Sequence, residues 1–346
     1  MGEKKLLDCT LRDGGYVNDW NFGQQSIQGM LELLERTGTE IIELGFLKDE
    51  PYHKDRTVFQ SMEQVKKLIG KKKKGLQYAV MAEVVNPLPL SMLAPADKDS
   101  ADIIRVIVWK TKHDKTGQVT DALREGYEYC KGIVDRGYRL CVQPARVEQY
   151  SDDEFRAMVR QFAALDPMAV YVVDSWGTQN AETLLHYMHL ADSCMSEKTA
   201  IGYHGHNNLM QAPGVAQALL KEAFQRDILI DASVYGIGRG AGNLNLEIIA
   251  KYMNEYYGKS YKLEEMLMIY ERYVKRIYRQ EPWGYSPAYY ITAKYGCNPG
   301  YAGYYQNEKG MSVEHIEQIV RNMEPRDRVM FTKERAERYL SVESFV

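Results

Sequence analysis

Eight short runs rich in β-branched and aliphatic residues recur between Lys4 and Gly236: KKLLDCTL, EIIELGF, LQYAVMAEV, DIIRVIVW, YRLCVQPA, AVYVVDSW, AIGYHGH and ILIDASVYG. Each has the length of a buried strand. Between most of them lies a stretch of helical period, among them GQQSIQGMLELLERTG, DALREGYEYCKGIVDRG, DDEFRAMVRQFAALD, QNAETLLHYMHLADSCM and MQAPGVAQALLKEAFQRD. Alternation of this kind builds parallel βαβ units. Eight units in about 250 residues match the strand count and length of a TIM (β/α)8 barrel. A doubly wound open sheet is the competing α/β architecture, but no Gly-rich fingerprint follows the first run.

Punctuation supports the same segmentation. Ser151 precedes Asp152, Asp153 and Glu154, a cap followed by an acidic first turn. Gly38, Gly70 and Gly137 fall where helices should stop. After Gly258 the strands cease and helices alternate with Tyr/Pro/Gly-rich turns. The expected division is a barrel over residues 1–258 and a helical, Tyr-rich extension over 259–346.

Hydrophobic content of 45% and charged content of 26% place the chain among globular proteins. A formal net charge of -3 supplies no basic field for nucleic acid, and Lys71 to Lys74 read as a solvated helix end. No apolar run reaches the length of a membrane span, and the stretch MGEKKLLDCTLRD has no apolar h-region. The five cysteines are scattered without CxxC spacing, which argues against a disulfide framework or a thiolate zinc site; Cys9 and Cys141, inside apolar runs, are expected to be buried thiols. A cytoplasmic location follows as the expectation. Tyrosine is abundant, 26 against 8 Phe, and many lie in the extension. Such side chains suit interfaces, so the extension is expected to pack on something, such as another subunit of a homo-oligomer.

In a TIM barrel the chemistry sits at the C-terminal ends of the strands. The runs end in DCTLRDGG, ELG, WKTKH, QPAR, DSWG, HGHNN and YGIGRGAGN, gathering ionisable residues there. On a strand, His204 and His206 are i and i+2 and point to one face. Two imidazoles side by side are good ligands for a divalent metal, and Asp13, ending the first run, is the expected third ligand. Two His and one carboxylate leave positions open for substrate and water. Arg12 beside them could hold a carboxylate, stabilise an enolate oxygen, or pair with Glu43 or Asp8. The glycines of GIGRGAGN, Gly236 to Asn243, form a poor dinucleotide fingerprint; a close-approach loop delivering Asn243 to the barrel mouth is the better reading.

Together LLDCTLRDGG (Leu6 to Gly15), DSWG (Asp174 to Gly177), YHGHNN (Tyr203 to Asn208) and GIGRGAGN resemble the DRE-TIM metallolyases, the HMGL-like superfamily with the pyruvate carboxyltransferase domain. The resemblance spans roughly residues 4–255, in matching order and spacing. It implies a TIM barrel with metal ligands Asp13, His204 and His206, Asn243 an extra ligand in some relatives. The metal would be Mn or Mg, in some relatives Zn, and Arg12 would stabilise the enolate. The last motif is most similar to that of the 4-hydroxy-2-oxovalerate aldolases. Hydroxymethylglutaryl-CoA lyases carry a cysteine in that loop, and none of the five cysteines falls there. The oxovalerate aldolases also carry a C-terminal helical extension adjoining an aldehyde dehydrogenase, which implies an aldehyde-consuming partner enzyme.

One departure stands out. Those aldolases place a catalytic histidine three residues after the metal aspartate; here the position is Tyr16. A phenol titrating near about pH 10 is a poor base at neutral pH. Tyr16 would act as a proton donor, or His113 or His53 would serve as base. Tyr289 or Tyr290 is the candidate for the extension's active-site tyrosine, with Tyr290 preferred. Glu43, Asp174, Asn243 and Tyr290 are thus the expected substrate-binding groups, and Arg12 and Tyr16 the catalytic ones. The leading expectation is a divalent-metal-dependent aldolase forming or cleaving 4-hydroxy-2-oxo acids through a pyruvate enolate. The alternatives are a Claisen-type synthase joining an acyl-CoA to a 2-oxo acid, and a non-catalytic barrel used for binding.

Overall fold

A parallel sheet covered by helices has no wet face, so its strands read as continuous apolar runs. In the computed structural model, which describes residues 2–113 and 119–343, each of the eight runs contains a barrel strand. These are β1 (Lys4–Asp8), β2 (Ile41–Leu47), β3 (Gln77–Glu83), β4 (Ile103–Val108), β5 (Arg139–Pro144), β6 (Ala169–Asp174), β7 (Ala200–Gly205) and β8 (Ile228–Ala232). All pairings among them are parallel and run in chain order. β1 pairs on one side with β8, Lys4 opposite Ile228, and on the other with β2, Leu7 opposite Ile41. The sheet therefore closes, and the chain folds as a TIM barrel with C-terminal helices.

Strand alternation sorts the side chains. Leu7, Ile41, Ile103, Cys141 and Leu229 point inward with Ala79, Ala169 and Ala200 to form the lower barrel interior. Their neighbours one residue along, such as Leu6, Ile42, Ile104 and Ile230, pack outward against the helices. Glu43, Arg105 and Asp231 keep the inward parity two residues further on and are fully buried. Charged side chains thus enter the upper half of the barrel beside Tyr171 and Met81.

The helices follow their sequence signals. Ser151 caps Asp152–Ala163 with a reciprocal box: its hydroxyl accepts from Glu154 N at 3.3 Å, and the Glu154 carboxylate accepts from Ser151 N at 2.8 Å. Two small features were not anticipated. Val58–Phe59 adds a two-residue strand to the end of β2, and Thr111–His113 pairs antiparallel with Val119–Asp121 beyond β4. Lys71 to Lys74 do follow a helix end, and Lys72 pairs with Asp102 at 2.7 Å.

Past the barrel, Leu263–Ile269 and Lys275–Gln280 are joined by a π-helical turn, Tyr270–Val274. Their Met266, Ile269, Val274 and Ile277 belong to the barrel's outer hydrophobic cluster. A separate cluster starts at Ala288 and includes Ile291, Tyr301, Tyr305, Ile316 and Val320. The tyrosine content of this segment has a local explanation. Rings fill a small core while hydroxyls reach polar groups nearby: Tyr301 donates to Asp327 O at 2.8 Å and Tyr305 to Ala336 O at 3.1 Å. Cys9, Cys130, Cys141 and Cys297 are buried free thiols, and Cys194 is half-buried. Among the described residues no helix is long and apolar enough to cross a membrane.

Candidate active site

The turn after β1 lifts Arg12 and Asp13 above the barrel, and β7 carries His204 at its end with His206 just beyond. One ligand atom from each of Asp13, His204 and His206 lies within 4.8 Å of the others. All three are almost fully buried, at 1%, 4% and 6% exposure. Asp13 Oδ1 accepts from the backbone N of Arg239 at 3.2 Å and from Asn243 Nδ2 at 3.1 Å. Its Oδ2 accepts from Arg12 Nη1 and faces His204 Nε2 at 3.6 Å.

The two asparagines after the histidines lock this turn. Asn207 N donates to Gly242 O at 2.8 Å, and Asn208 Oδ1 accepts from Ala241 N at 2.8 Å. They tie the β7 turn to the glycine loop that follows β8. That loop needs a glycine at position 238, where a Cβ would lie 2.2 Å from Asn243 Nδ2 and 2.7 Å from Asp13 Oδ1. Gly177, at φ 60°, is the second such position: a Cβ there would meet the His206 backbone at 2.7 Å. DSWG is thereby pressed against HGHNN.

Beneath the triad runs a closed circuit of charge. Arg12 Nε donates to Glu43 Oε2 at 2.7 Å; Arg105 Nη1 reaches the same oxygen at 2.8 Å; Arg105 Nη2 donates to Asp231 Oδ2; His204 Nδ1 meets that oxygen at 2.9 Å and turns Nε2 back to Asp13. Three carboxylates face two guanidiniums, so the buried ring carries an excess negative charge unless His204 is protonated. Burial alone would raise Asp13, but the Arg12 guanidinium, with both histidines, outweighs it and holds the carboxyl well below the usual range. Burial lowers His206 to about 3, so its imidazole is neutral, as a metal ligand must be. Its Nδ1 and the Oδ1 of Asn243 are buried without a partner. An anionic cluster with a neutral imidazole, an unpaired nitrogen and an unpaired amide oxygen fits a divalent cation. The pairing of His204 with Asp231 is the outer carboxylate contact that commonly orients a ligating imidazole.

Above the triad the site opens in two stages. A small inner pocket of about 60 Å³ is lined by Arg12, Asp13, His204 and His206 with Tyr16, Glu83, Trp109 and Arg239. The last four also line an outer chamber of about 690 Å³ between the barrel mouth and the extension. Tyr16 packs edge-on against Trp20 at 4.9 Å, and Arg239 lies over its ring at 5.7 Å. Its outer face is exposed, but burial of the hydroxyl, and then the Glu83 carboxylate, push the phenol above its ordinary value. Glu83, the last residue of β3, accepts from Trp109 Nε1 at 3.0 Å.

Several expected site residues stand elsewhere. Glu43 is shared by two guanidiniums and lies behind Arg12, outside the cavity lining; Arg12 therefore pairs with it and not with Asp8. Asp174 turns away to accept from Thr178 N and Gln179 N, both at 3.0 Å, closing the loop after β6. Asn243 supports Asp13 from outside the cavities, its amide oxygen left unpaired. On the extension, Tyr289 lines the chamber while Tyr290 is exposed outside its lining. His53 lies on an exposed turn and accepts from Asp55 N at 3.3 Å. The side chain of His113 lies outside the described residues. Glu83, Trp109, Arg239, Arg105 and Asp231 escaped notice in the sequence. For the last two the signal was there: a lone charged residue inside DIIRVIVW and inside ILIDASVYG must find a buried partner.

A closed parallel barrel with a carboxylate–imidazole cluster at the C-terminal ends of its strands defines a class, TIM barrels with a cluster able to hold a cation beside an arginine. The HMGL-like family model matches residues 3–269, and the chain belongs to that family. It is similar to an oxaloacetate decarboxylase of Mycobacterium tuberculosis, 24% identical over 71% of this chain and 69% of that protein. It is likewise similar to a 4-hydroxy-2-oxovalerate aldolase of Bacillus cereus, 25% identical over 75% of this chain and 71% of the other. Its fold is like that of the HMG-CoA lyase of Brucella melitensis, with a TM-score of 0.61 over 81% of this chain and all of that one, at 14% identity.

Proposed function

We propose that the protein is a divalent-metal-dependent carbon–carbon lyase that cleaves and forms 4-hydroxy-2-oxo acids through a pyruvate enolate. What carries this reading is the convergence of Asp13, His204 and His206 on one buried point beside Arg12, at the floor of an accessible cavity. Its relatives include a 4-hydroxy-2-oxovalerate aldolase and an oxaloacetate decarboxylase, and both reactions release pyruvate from a 2-oxo acid.

A divalent ion, Mn or Mg in the first instance, held by Asp13, His204 and His206 would polarise the 2-oxo group as a Lewis acid. Arg12, held rigid by Glu43, presents its guanidinium to the oxygen that gains charge as the enolate forms. Tyr16 stays protonated through the neutral range and serves as a hydrogen-bond donor. Glu83 is the carboxylate at the junction of the two cavities, and it accepts the C4 hydroxyl proton. The C3–C4 bond breaks, its electron pair passes into the enolate, and C4 becomes the aldehyde carbon. The proton that Glu83 took from the C4 hydroxyl passes to C3, which completes pyruvate and restores the carboxylate.

The test is pyruvate release from 4-hydroxy-2-oxo acids by protein stripped with a chelator and reloaded. Cleavage should vanish on stripping and return with metal, and Asp13→Ala should neither cleave nor retain the ion by elemental analysis. Chelator-resistant cleavage, or full activity of Asp13→Ala, would overturn the reading. Thiol release from acetyl-CoA and a 2-oxo acid, without aldol cleavage, would move the assignment to a Claisen-type synthase.

A further inference from the structure

The outer chamber is much larger than cleavage of a small hydroxy-oxo acid requires. Its volume of about 690 Å³ falls in the range that encloses drug-sized ligands, while the metal-side pocket measures about 60 Å³. The walls are mainly aromatic and apolar: Trp109, Trp283, Tyr289, Tyr304, Met330 and Phe331. The extension supplies all of these but Trp109. A π-helical turn, Tyr304–Glu308, places Tyr304, Asn307 and Glu308 on the chamber side. Tyr16, Glu83, Trp109 and Arg239 line both the chamber and the metal-side pocket, and they are the groups that would surround C4.

The charges narrow the choice. Glu83, Glu281 and Glu308 face the chamber against Arg239; Glu308 is taken up by Lys333 at 2.6 Å, and Arg239 Nη2 donates to Asn298 Oδ1 at 3.1 Å. Acidic groups remain in excess, which disfavours phosphate or a second carboxylate in this space.

Resting on the aldolase reading above, we infer that the group carried beyond C4, the aldehyde half of the substrate, is a bulky, uncharged, ring-bearing group that fills the aromatic chamber. Its ring finds offset and edge-on partners among the chamber's indoles and phenols, and the acceptor aldehyde is an aryl or arylalkyl aldehyde rather than a two-carbon one.

Metal-loaded protein would be given pyruvate with acetaldehyde, with phenylacetaldehyde and with a phosphorylated aldehyde, while deuterium exchange at pyruvate C3 is followed by NMR. Exchange without any aldehyde reports enolate formation alone. The expected result is exchange, with kcat/KM for the aryl aldehyde at least about tenfold above acetaldehyde and above the phosphorylated one. Phenylacetaldehyde should also quench the fluorescence of Trp109 and Trp283, a readout independent of turnover. Gly303 lines the chamber, and a Cβ there meets only the Tyr289 hydroxyl at 3.7 Å. Gly303→Leu should therefore fill the space and lower the aryl-to-methyl ratio of kcat/KM about tenfold. Exchange with acetaldehyde preferred, or with the phosphorylated aldehyde preferred, overturns the chamber inference and leaves the lyase reading standing. Absence of exchange together with absence of cleavage overturns the lyase reading itself.

Discussion

Asp231 holds two partners with one oxygen, Arg105 Nη2 and His204 Nδ1, while its other oxygen is buried and unpaired. Asp231→Asn keeps the shape but loses the charge that balances Arg105 and orients the imidazole. Metal affinity should fall roughly 10–100-fold, as for other outer-carboxylate losses, and a competition titration with a chromogenic chelator would read it. Glu83→Gln should lower kcat about 10²–10⁴-fold, with metal content unchanged. An unaltered kcat would remove Glu83 from proton transfer. The site was legible in part. His204 and His206 showed themselves by i, i+2 spacing, and Asp13 by its place at the end of the first run. Glu83 did not, because a glutamate at a strand end looks the same whether it faces water or a cavity, and the wall that makes this one a cavity comes from residues two hundred positions away.

Among the elements, the turn after β6 is sensitive to pH. Burial pushes the Asp174 carboxyl up to about 7, against the lowering effect of its Thr178 and Gln179 backbone bonds. The unfolded carboxyl titrates near about 4. Between these values the folded chain holds a proton that the unfolded chain has lost, so this group's contribution falls as pH rises and levels off above the folded value. Relative to wild type, Asp174→Asn should therefore gain a few kcal/mol (about 1.4 for each tenfold difference in proton affinity) between pH 4 and pH 8 in urea unfolding. Equal slopes for the two proteins would contradict the raised carboxyl. In the same turn, Gly177→Ala imposes about 1–2 kcal/mol of left-handed strain and drives a methyl into the His206 backbone. It should lower Tm and weaken metal binding together. The elements themselves were well marked in the sequence, since parallel strands buried on both faces cannot hide their apolar runs. Val58–Phe59 and the paired strands Thr111–His113 and Val119–Asp121 were not, being too short to show a period. In the extension the choice between Tyr289 and Tyr290 depended on helix rotation, and a run of adjacent tyrosines has no apolar face to set it.

At the scale of the molecule, the extension has a hydrophobic core of its own, smaller than the barrel's outer one. The segment from Ala288 onward packs on its own small cluster and meets the barrel loop through Arg239 and Asn298. Amides between Ala288 and Ala336 should exchange with solvent faster than those of β4 to β7, because a small core opens at lower cost than the barrel. Hydrogen-exchange mass spectrometry would check this, and uniform protection across both regions would contradict it. The floor of the cleft, with its triad and charge ring, belongs to the barrel, whereas most of the chamber's aromatic walls belong to the extension. Floor and ceiling are thus written in separate stretches of the gene, and drift in one leaves the other intact. A lineage that remodels only the ceiling changes what the chamber accepts and inherits the floor whole.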